Sequence, residues 1–392
     1  MKILFLSPWF PTPPVNGSKI RIYHLLKALS RRHSVSLVSF IRPGESIDLQ
    51  GTEAFCEQVR TVPYHEFRPH HWRARLAYFS LQPRSVANTY SPEMAQIVRK
   101  LASQADCLIA SELVTAAYLR LGISLPSMLD DLELAAGQDA WNNSHGWERW
   151  LRWLTWQKSC QYIRQLLPHF RMATVVSELE AAVLRKIAPA YSSIQVLPNG
   201  VDTEFNRPGS AAPQTGKLVY SGALTYKANY DAMYYFLSEI FPIIRQQQPD
   251  AYLEITGSTQ GVDLGGLRID ERVRFTGFMD DIRPVIAGAW MCVVPLRQGS
   301  GTRLKILEAM ALGTPVVSTT KGAEGLAVTP EEDILIADQP EDFARQVVRL
   351  SGDAELRSRL STNGRRLVEQ CFSWKMIGQD FCSMVERMAA RA

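Results

Sequence analysis

Pro295-Leu296-Arg297-Gln298-Gly299-Ser300-Gly301-Thr302-Arg303-Leu304-Lys305-Ile306-Leu307-Glu308-Ala309-Met310-Ala311-Leu312-Gly313-Thr314-Pro315 decides how this chain is read. An apolar run, 291–295, enters it as a strand, and another, 315–318, leaves it. Between them a loop with two glycines leads into an apolar helix expected over 303–312. Thr302 is expected to cap that helix and Gly313 to stop it. The amides of Arg303, Leu304 and Lys305 then point out of the helix end, where the macrodipole favours an anion. Arg303 and Lys305 add full charges. Glu308 stands one turn beyond Leu304, within reach of hydroxyls on a ligand whose phosphates occupy the helix end. A phosphate with a ribose attached fits those groups together. The competing reading is a capped surface helix with solvated charges, although the apolar residues around Glu308 argue that the carboxylate faces something specific.

The same alternation runs outward in both directions. Apolar runs at 3–7, 34–40, 107–110, 127–129 and 173–176 predict strands in the first half, with a helix over 19–31 after a Pro-rich loop. The second half restarts with strands at 217–220, 252–256 and 273–276 and a helix over 230–246. Fully apolar strands separated by helices predict parallel sheets covered on both faces. The expected fold is therefore α/β, two doubly wound Rossmann-like domains facing a cleft. The break falls in turn chemistry after Leu197 (Pro198-Asn199-Gly200), giving domains 1–198 and 199–373. The final helix, 374–392, is expected to pack back on the first domain. Ligands of such sheets sit at the carboxyl ends of the strands. The loop Tyr220-Ser221-Gly222-Ala223-Leu224-Thr225-Tyr226-Lys227-Ala228-Asn229 opens on the rim used by the Gly299 loop. Gly222 permits close backbone approach, and Lys227 can reach a leaving phosphate; an ordinary loop lysine is the alternative.

Composition narrows the class. The chain has 392 residues, 46% hydrophobic and 21% charged, enough for two cores and typical of a globular protein. A net charge of +4 falls short of a dedicated nucleic-acid binder. The charge is uneven. Arg60, Arg68, Arg73, Arg75 and Arg84 face only Glu66 in their stretch, and Arg149, Arg152, Lys158, Arg164 and Arg171 face only Glu148. The six cysteines show no zinc spacing and read as small apolar residues of a reducing compartment. The apolar start, 1–6, stops at Ser7-Pro8, too short for a signal peptide, and no run is long enough to span a bilayer. The expected location is cytoplasmic, peripheral to the inner face of the plasma membrane.

From Val196 to Leu326 the chain resembles the family 4 retaining glycosyltransferases of the GT-B fold, the group 1 glycosyltransferases. The matching pieces are Val196-Leu197-Pro198-Asn199-Gly200-Val201-Asp202 with Phe205, Gly222 with Lys227, Phe275-Thr276-Gly277, and Glu308 through Val317. The Pro-rich loop with Gly17, and Val175-Val176-Ser177-Glu178, match the same family. The resemblance implies that Glu308 binds the donor ribose and Lys227 meets the diphosphate. Arg303, Leu304 and Lys305, with Gly301 and Thr302, occupy the helix start that holds the phosphates. Gly277, Phe278 and Met279 line the base, and Gly17 lies on the loop that closes over donor and acceptor.

Three positions depart from the family pattern. Ser300 stands where a glutamate often touches the transferred sugar, and Ala223 where an arginine is common. Asp130-Asp131-Leu132-Glu133 stands where the first domain usually carries a histidine. The second departure leaves Arg303 or Lys305 to supply the missing charge. With Lys227, Glu308 and Arg303 as the catalytic set, the reading predicts a metal-independent, retaining hexosyltransferase without cofactor. Neither Asp130-Asp131 nor Asp280-Asp281 has the further carboxylates of a magnesium site; Asp280-Asp281 reads as a helix start. The resemblance implies that the leaving phosphate itself takes the acceptor proton. A GT-B nucleotide-sugar epimerase and a degenerate, non-catalytic sugar-nucleotide-binding protein are the alternatives.

The acceptor side is thinner. It rests on Asp131, Trp147 and Trp150. Trp153, Trp156, Cys160, Ile163 and Leu167 form one stripe, expected to be core. Trp147, Trp150, Leu151 and Leu154 form a second face beside Arg149 and Lys158. That face, with the Arg60–Arg84 stretch and His70-His71-Trp72, predicts an anionic membrane surface or a lipid-linked acceptor, packing against another helix or subunit being the alternative. The expected partners are a nucleotide-diphosphate sugar and a glycan, lipid-linked or small-molecule acceptor in polysaccharide, glycolipid or other glycoconjugate biosynthesis, and no nucleic acid.

Overall fold

The computed structural model describes residues 1–68, 75–76, 82–142, 144–299 and 301–390, with Ala136 described by its backbone alone. His70, His71, Trp72, Arg73 and Ser300 lie outside the described residues. Two compact units are present, one of Met1–Pro198 with Ile377–Ala392, the other of Asn199–Met376.

In the first unit the strands are β1 (Lys2–Ser7), β2 (Ser34–Ile41), β3 (Gln58–Pro63), β4 (Cys107–Ser111), β5 (Ser127–Asp130), β6 (Met172–Val175) and β7 (Ile194–Val196). They form one parallel sheet in the order β3-β2-β1-β4-β5-β6-β7. In the second unit β8 (Lys217–Ser221), β9 (Tyr252–Thr256), β10 (Val273–Gly277), β11 (Met291–Val294), β12 (Val316–Ser318) and β13 (Leu335–Ile336) are ordered β10-β9-β8-β11-β12-β13, again all parallel. Strands β4 and β11 are buried at every residue. Their sequences are apolar without alternation because helices cover both sheet faces. The chain reverses direction across the first sheet between β1 and β4, and across the second between β8 and β11. Loops diverge at such points and leave a crevice outside the carboxyl ends of the strands.

Several contacts fix each unit. In the first, Arg21 and Asp130 are both fully buried and joined by two hydrogen bonds, Nη2 to Oδ1 at 2.7 Å and Nε to Oδ2 at 3.1 Å. Nη1 of Arg21 also donates to the carbonyl of Leu197 at 3.1 Å, tying the end of the unit to its core. A Cβ at Gly378 would come within 2.6 Å of the Ala28 Cβ, so glycine lets the Trp374–Ala390 helix approach the Gly17–Ser30 helix. In the second unit the Leu304–Ala311 helix buries Ile306, Leu307, Ala309, Met310 and Ala311. Its far end is closed as a Schellman motif. Gly313 takes φ 77°, its amide donates to Met310 at 3.1 Å, and the Thr314 amide donates to Ala309 at 2.8 Å. Arg365 Nη1 donates to the Ala311 carbonyl at 2.6 Å and Ser361 to that of Gly313 at 2.6 Å.

Two expected helices differ. The second unit's first helix begins at Lys227 and passes through a π-helical turn, Phe236–Ile240, into a last segment, Phe241–Gln247. Pro242 lacks the amide an unbroken helix needs. Trp153, expected in the core, is 40% exposed, because the long Gly146–Leu166 helix has buried side chains only from Cys160 onward, while Trp156 of the same stripe packs partly buried against the core.

Candidate functional site

Strand β11 delivers the chain to a loop in which Gly299 (φ 109°) and Gly301 (φ 83°) take left-handed backbone that favours glycine. A Cβ at Gly299 would lie 3.2 Å from the Ala228 Cβ and 3.5 Å from Arg303 Nη1, so this loop touches the start of the Lys227–Tyr235 helix. Those are the loops after β11 and β8, the strands flanking the reversal. Arg303 is 6% exposed, and its Nη2 donates to the carbonyls of Gly299 at 2.9 Å and Lys321 at 3.2 Å. The guanidinium thus braces the glycine loop, where the sequence expectation had it reaching out to a phosphate. Thr302 is not the cap either. Arg303 holds the N-cap position, and the Thr302 hydroxyl accepts from Asn199 Nδ2 at 2.9 Å. The Leu304 amide, expected to be free, donates to the Thr302 carbonyl at 3.0 Å.

Lys305 points across the strand ends. Its Nζ donates to the Tyr220 hydroxyl at 2.8 Å and to Asn229 Oδ1 at 2.9 Å, and lies 4.1 Å from the Tyr220 ring centroid. Asn229 Nδ2 closes the network on the Ala223 carbonyl at 2.8 Å. Gly222 makes room for all of this, since a Cβ there would meet Asn229 Nδ2 at 2.8 Å and Lys305 Nζ at 2.9 Å. Burial pushes the Lys305 ammonium down to about 7. Burial also pushes the Glu308 carboxyl up to about 7, with Lys305 pulling the other way. The Glu308 side chain has no hydrogen bond or ion pair among the described residues. Half-buried in an apolar helix face, it is a carboxylate held without a partner, a costly arrangement unless a ligand supplies one. Lys227 opens its helix with an exposed ammonium that has no partner among the described residues.

The other candidates are dispersed. Gly277 ends β10 with φ 70°, and its carbonyl accepts from the Gly257 amide at 2.9 Å. Phe278 is 77% exposed and Met279 half-buried. Gly17 is the first residue of the Gly17–Ser30 helix, where a loop residue was expected, because Asn16 accepts from the Lys19 amide at 3.0 Å and starts the helix there. Asp131 follows β5 in the first unit with φ 62°. Trp147 and Trp150 are 72% and 48% exposed and stack at 5.0 Å. Asp281, expected to start a helix, lies one residue before its N-cap, Ile282; it accepts from the Arg283 amide at 3.0 Å and pairs with the Arg283 guanidinium. Sequence reasoning passed over Tyr220 and Asn229, because a strand tyrosine and a loop asparagine carry no spacing signal. It also passed over Glu112, which an acid directly after a fully apolar strand could have flagged.

The fold, two units each built on a doubly wound parallel sheet, defines a two-domain α/β protein. The sequence profile of glycosyltransferase family 4 matches residues 15–205, and that of the glycosyl transferases group 1 matches residues 215–353. The chain belongs to this group 1, family 4 class of GT-B glycosyltransferases. A GDP-mannose-dependent monoacylated α-(1-6)-phosphatidylinositol monomannoside mannosyltransferase of Corynebacterium glutamicum is 23% identical over 58% of this chain and 65% of its own. The chain spans 59% and 65% of the length of two curated relatives it matches. Among solved structures, sucrose-phosphate synthase of Thermosynechococcus elongatus superposes with a TM-score of 0.71 at 19% identity, covering 100% of both chains. Anabaena HepE in complex with UDP superposes with a TM-score of 0.70 at 15% identity, over 99% of this chain and 100% of that one.

Proposed function

We propose that this glycosyltransferase moves a hexose from a nucleotide-diphosphate sugar to an acceptor hydroxyl with retention, without a metal ion. The observation that carries the reading is Glu308. An unpartnered carboxylate stands one turn inside a helix whose entrance is flanked by the Lys305 network and by the loop that meets the Lys227 helix. Glu308 would accept from the ribose hydroxyls, and the helix entrance and Lys227 would take the diphosphate. A structural neighbour solved with UDP and a relative named for GDP-mannose support a nucleotide-sugar donor.

In the transfer, the bond between the sugar's anomeric carbon and the phosphate oxygen breaks while the acceptor oxygen bonds to that carbon on the same face. The acceptor proton passes to the departing phosphate oxygen. Negative charge grows on the leaving diphosphate, and Lys227 and Lys305 at the helix entrance would stabilise it there more than in the ground state. Arg303 would act indirectly, holding the Gly299 loop in place.

Thermal shift with UDP, UDP-glucose, GDP and GDP-mannose, with and without EDTA, tests the donor reading. A nucleotide at a hundred times its dissociation constant stabilises by about 2.7 kcal/mol. Glu308→Gln and Lys227→Ala should each lose most of that shift, and EDTA should change nothing. Failure of all four nucleotides to stabilise the protein would refute the reading.

The stacked Trp147–Trp150 pair favours a second element of the proposal, docking on an anionic membrane at the cytoplasmic face, where a lipid-linked acceptor would be met. Arg149 and Arg152 are exposed beside the pair, and no helix among the described residues is long and apolar enough to cross a membrane. Indoles and cationic heads together suit the headgroup boundary. Flotation with phosphatidylglycerol vesicles at low salt should carry the protein up, and Trp147→Ala with Trp150→Ala should leave it at the bottom. Equal flotation of both proteins would remove this element.

A further inference from the structure

The donor reading gives the ligand a direction across the second sheet. With the base over the loop after β10 and the diphosphate at the helix after β11, a nucleotide sugar runs along the strand ends in the order β10-β9-β8-β11. The next strand in that direction is β12. The transferred sugar, attached beyond the diphosphate, would then come to the loops after β11 and β12. Sugars are read by groups that bond their hydroxyls, and an ionised carboxylate is a strong acceptor for them. The loop after β11, residues 295–303, carries no acid, and neither does the loop after β8, residues 222–226. The stretch after β12, residues 319–325, carries one, Glu324.

That stretch is fastened to the end of β11. The Thr319 hydroxyl donates to the Leu296 carbonyl and accepts from the Gly322 amide at 2.9 Å. Gly322 marks a close approach, since a Cβ there would lie 2.6 Å from the Val294 carbonyl oxygen. Arg303 clamps the two loops together, its Nη2 donating to the carbonyls of both Gly299 and Lys321. The Glu324 carboxylate is set by two cations. Its Oε2 lies 2.6 Å from Lys321 Nζ and 3.9 Å from Arg303 Nη2. Its Oε1 has no hydrogen bond or ion pair among the described residues, and the side chain is 33% exposed. One oxygen is held and the other is left open, on a backbone fixed by its neighbours, which is how a specificity contact must be built.

We infer that Glu324, oriented by Lys321, reads hydroxyls of the transferred sugar and restricts the donor to an uncharged hexose. The inference rests on the glycosyl-transfer reading and names the class of donor sugar that reading left open. Oε1 would accept from a sugar hydroxyl while Lys321 holds Oε2. A uronic acid would bring its own carboxylate against Glu324, and the two like charges would repel. Lys321 is a positioning residue here, acting through the carboxylate it pairs with. Arg303, buried and bonded to two carbonyls, braces both loops. The sequence does not mark Glu324, because strand order and the Arg303 clamp bring its loop beside the glycine loop.

Titration calorimetry of the full-length protein tests the pair, with UDP, UDP-glucose and UDP-glucuronic acid, and with GDP, GDP-mannose and GDP-mannuronic acid. For the base that binds, wild type should hold the hexose donor more tightly than the uronic one. Glu324→Gln should weaken the hexose donor about tenfold, leave the bare nucleoside diphosphate unchanged, and narrow the gap to the uronic donor. Lys321→Met should weaken the hexose donor by a smaller factor, again without touching the bare nucleotide. The split between sugar and nucleotide is the readout that a merely structural role would not produce, and intact nucleotide binding certifies that each variant is folded. Equal losses for nucleotide and hexose donor in Glu324→Gln, unchanged binding of both, or a uronic donor held as tightly as the hexose by wild type would overturn the inference and spare the donor reading. Failure of every nucleotide to bind wild type would refute the donor reading, and the Glu324 assignment with it.

Discussion

Replacing Lys305 with methionine should stabilise the protein at neutral pH while impairing nucleotide binding. Without a nucleotide the ammonium is held where burial lowers it from 10.5 to about 7. That difference corresponds to roughly 4 kcal/mol of charging cost at pH 7. Solvent at the half-buried head group and the loss of the bonds to Tyr220 and Asn229 reduce the expected gain to about 1–3 kcal/mol. Tyr220 and Asn229 stay satisfied through their own bond of 2.8 Å, so methionine leaves no orphan between them. A folded-state value below the unfolded one means that the native protein binds fewer protons. Wild-type stability therefore rises between about pH 7 and 10.5 and is lowest below that window, and the advantage of Lys305→Met should fade as pH rises. Differential scanning calorimetry from pH 6.5 to 9.5 reads this as a gain of about 2–4 °C per kcal/mol for a unit of this size, shrinking with pH. Isothermal titration with UDP and GDP should show affinity down by about tenfold or more, the loss of one charged hydrogen bond. A variant that melts lower than wild type at pH 7 and binds nucleotide equally well would show that Lys305 is a strut of the fold, and the helix-entrance assignment would fall with it.

Gly222→Ala should leave the fold intact but reduce nucleotide binding, because its Cβ would press on Asn229 Nδ2 and Lys305 Nζ at 2.8 and 2.9 Å; titration calorimetry checks it, and unchanged affinity counts against the network. Arg21→Met should cost about 3–5 kcal/mol by chemical denaturation, since it strands the buried Asp130 carboxylate; a cost under about 1 kcal/mol would contradict the buried-pair reading. Glu112→Gln should remove a pH dependence. With the native carboxyl near 8 and the unfolded one near 4.5, the native state holds the extra proton, so wild type loses up to about 1.4 kcal/mol per unit as pH rises through that window. Melting curves of the variant should be flatter there and higher at pH 8, and parallel curves would refute the assignment.

The two doubly wound sheets were legible in the sequence because strands covered on both faces must be apolar throughout. The runs that become β1, β4, β8 and β11 show that pattern without alternation. Gly313 was legible too, since a left-handed residue one step past a helix is a local demand that glycine meets. Element starts were read less well. The helix entered at Lys227 was expected three residues later, because Tyr226 caps it without any side-chain bond to signal a start.

What sequence spacing determined is which elements form and which residue types reach the strand ends. What tertiary structure decided is where their side chains turn. Lys305 faces Tyr220 and Asn229 across 85 and 76 residues, Thr302 is claimed by Asn199 across 103, and Trp9 reaches Glu112 across 103. A helix end favours an anion wherever it lies, but whether the adjacent threonine, arginine or lysine is free to greet that anion depends on loops delivered by neighbouring strands. Strand order sets those meetings, and local periodicity does not encode it.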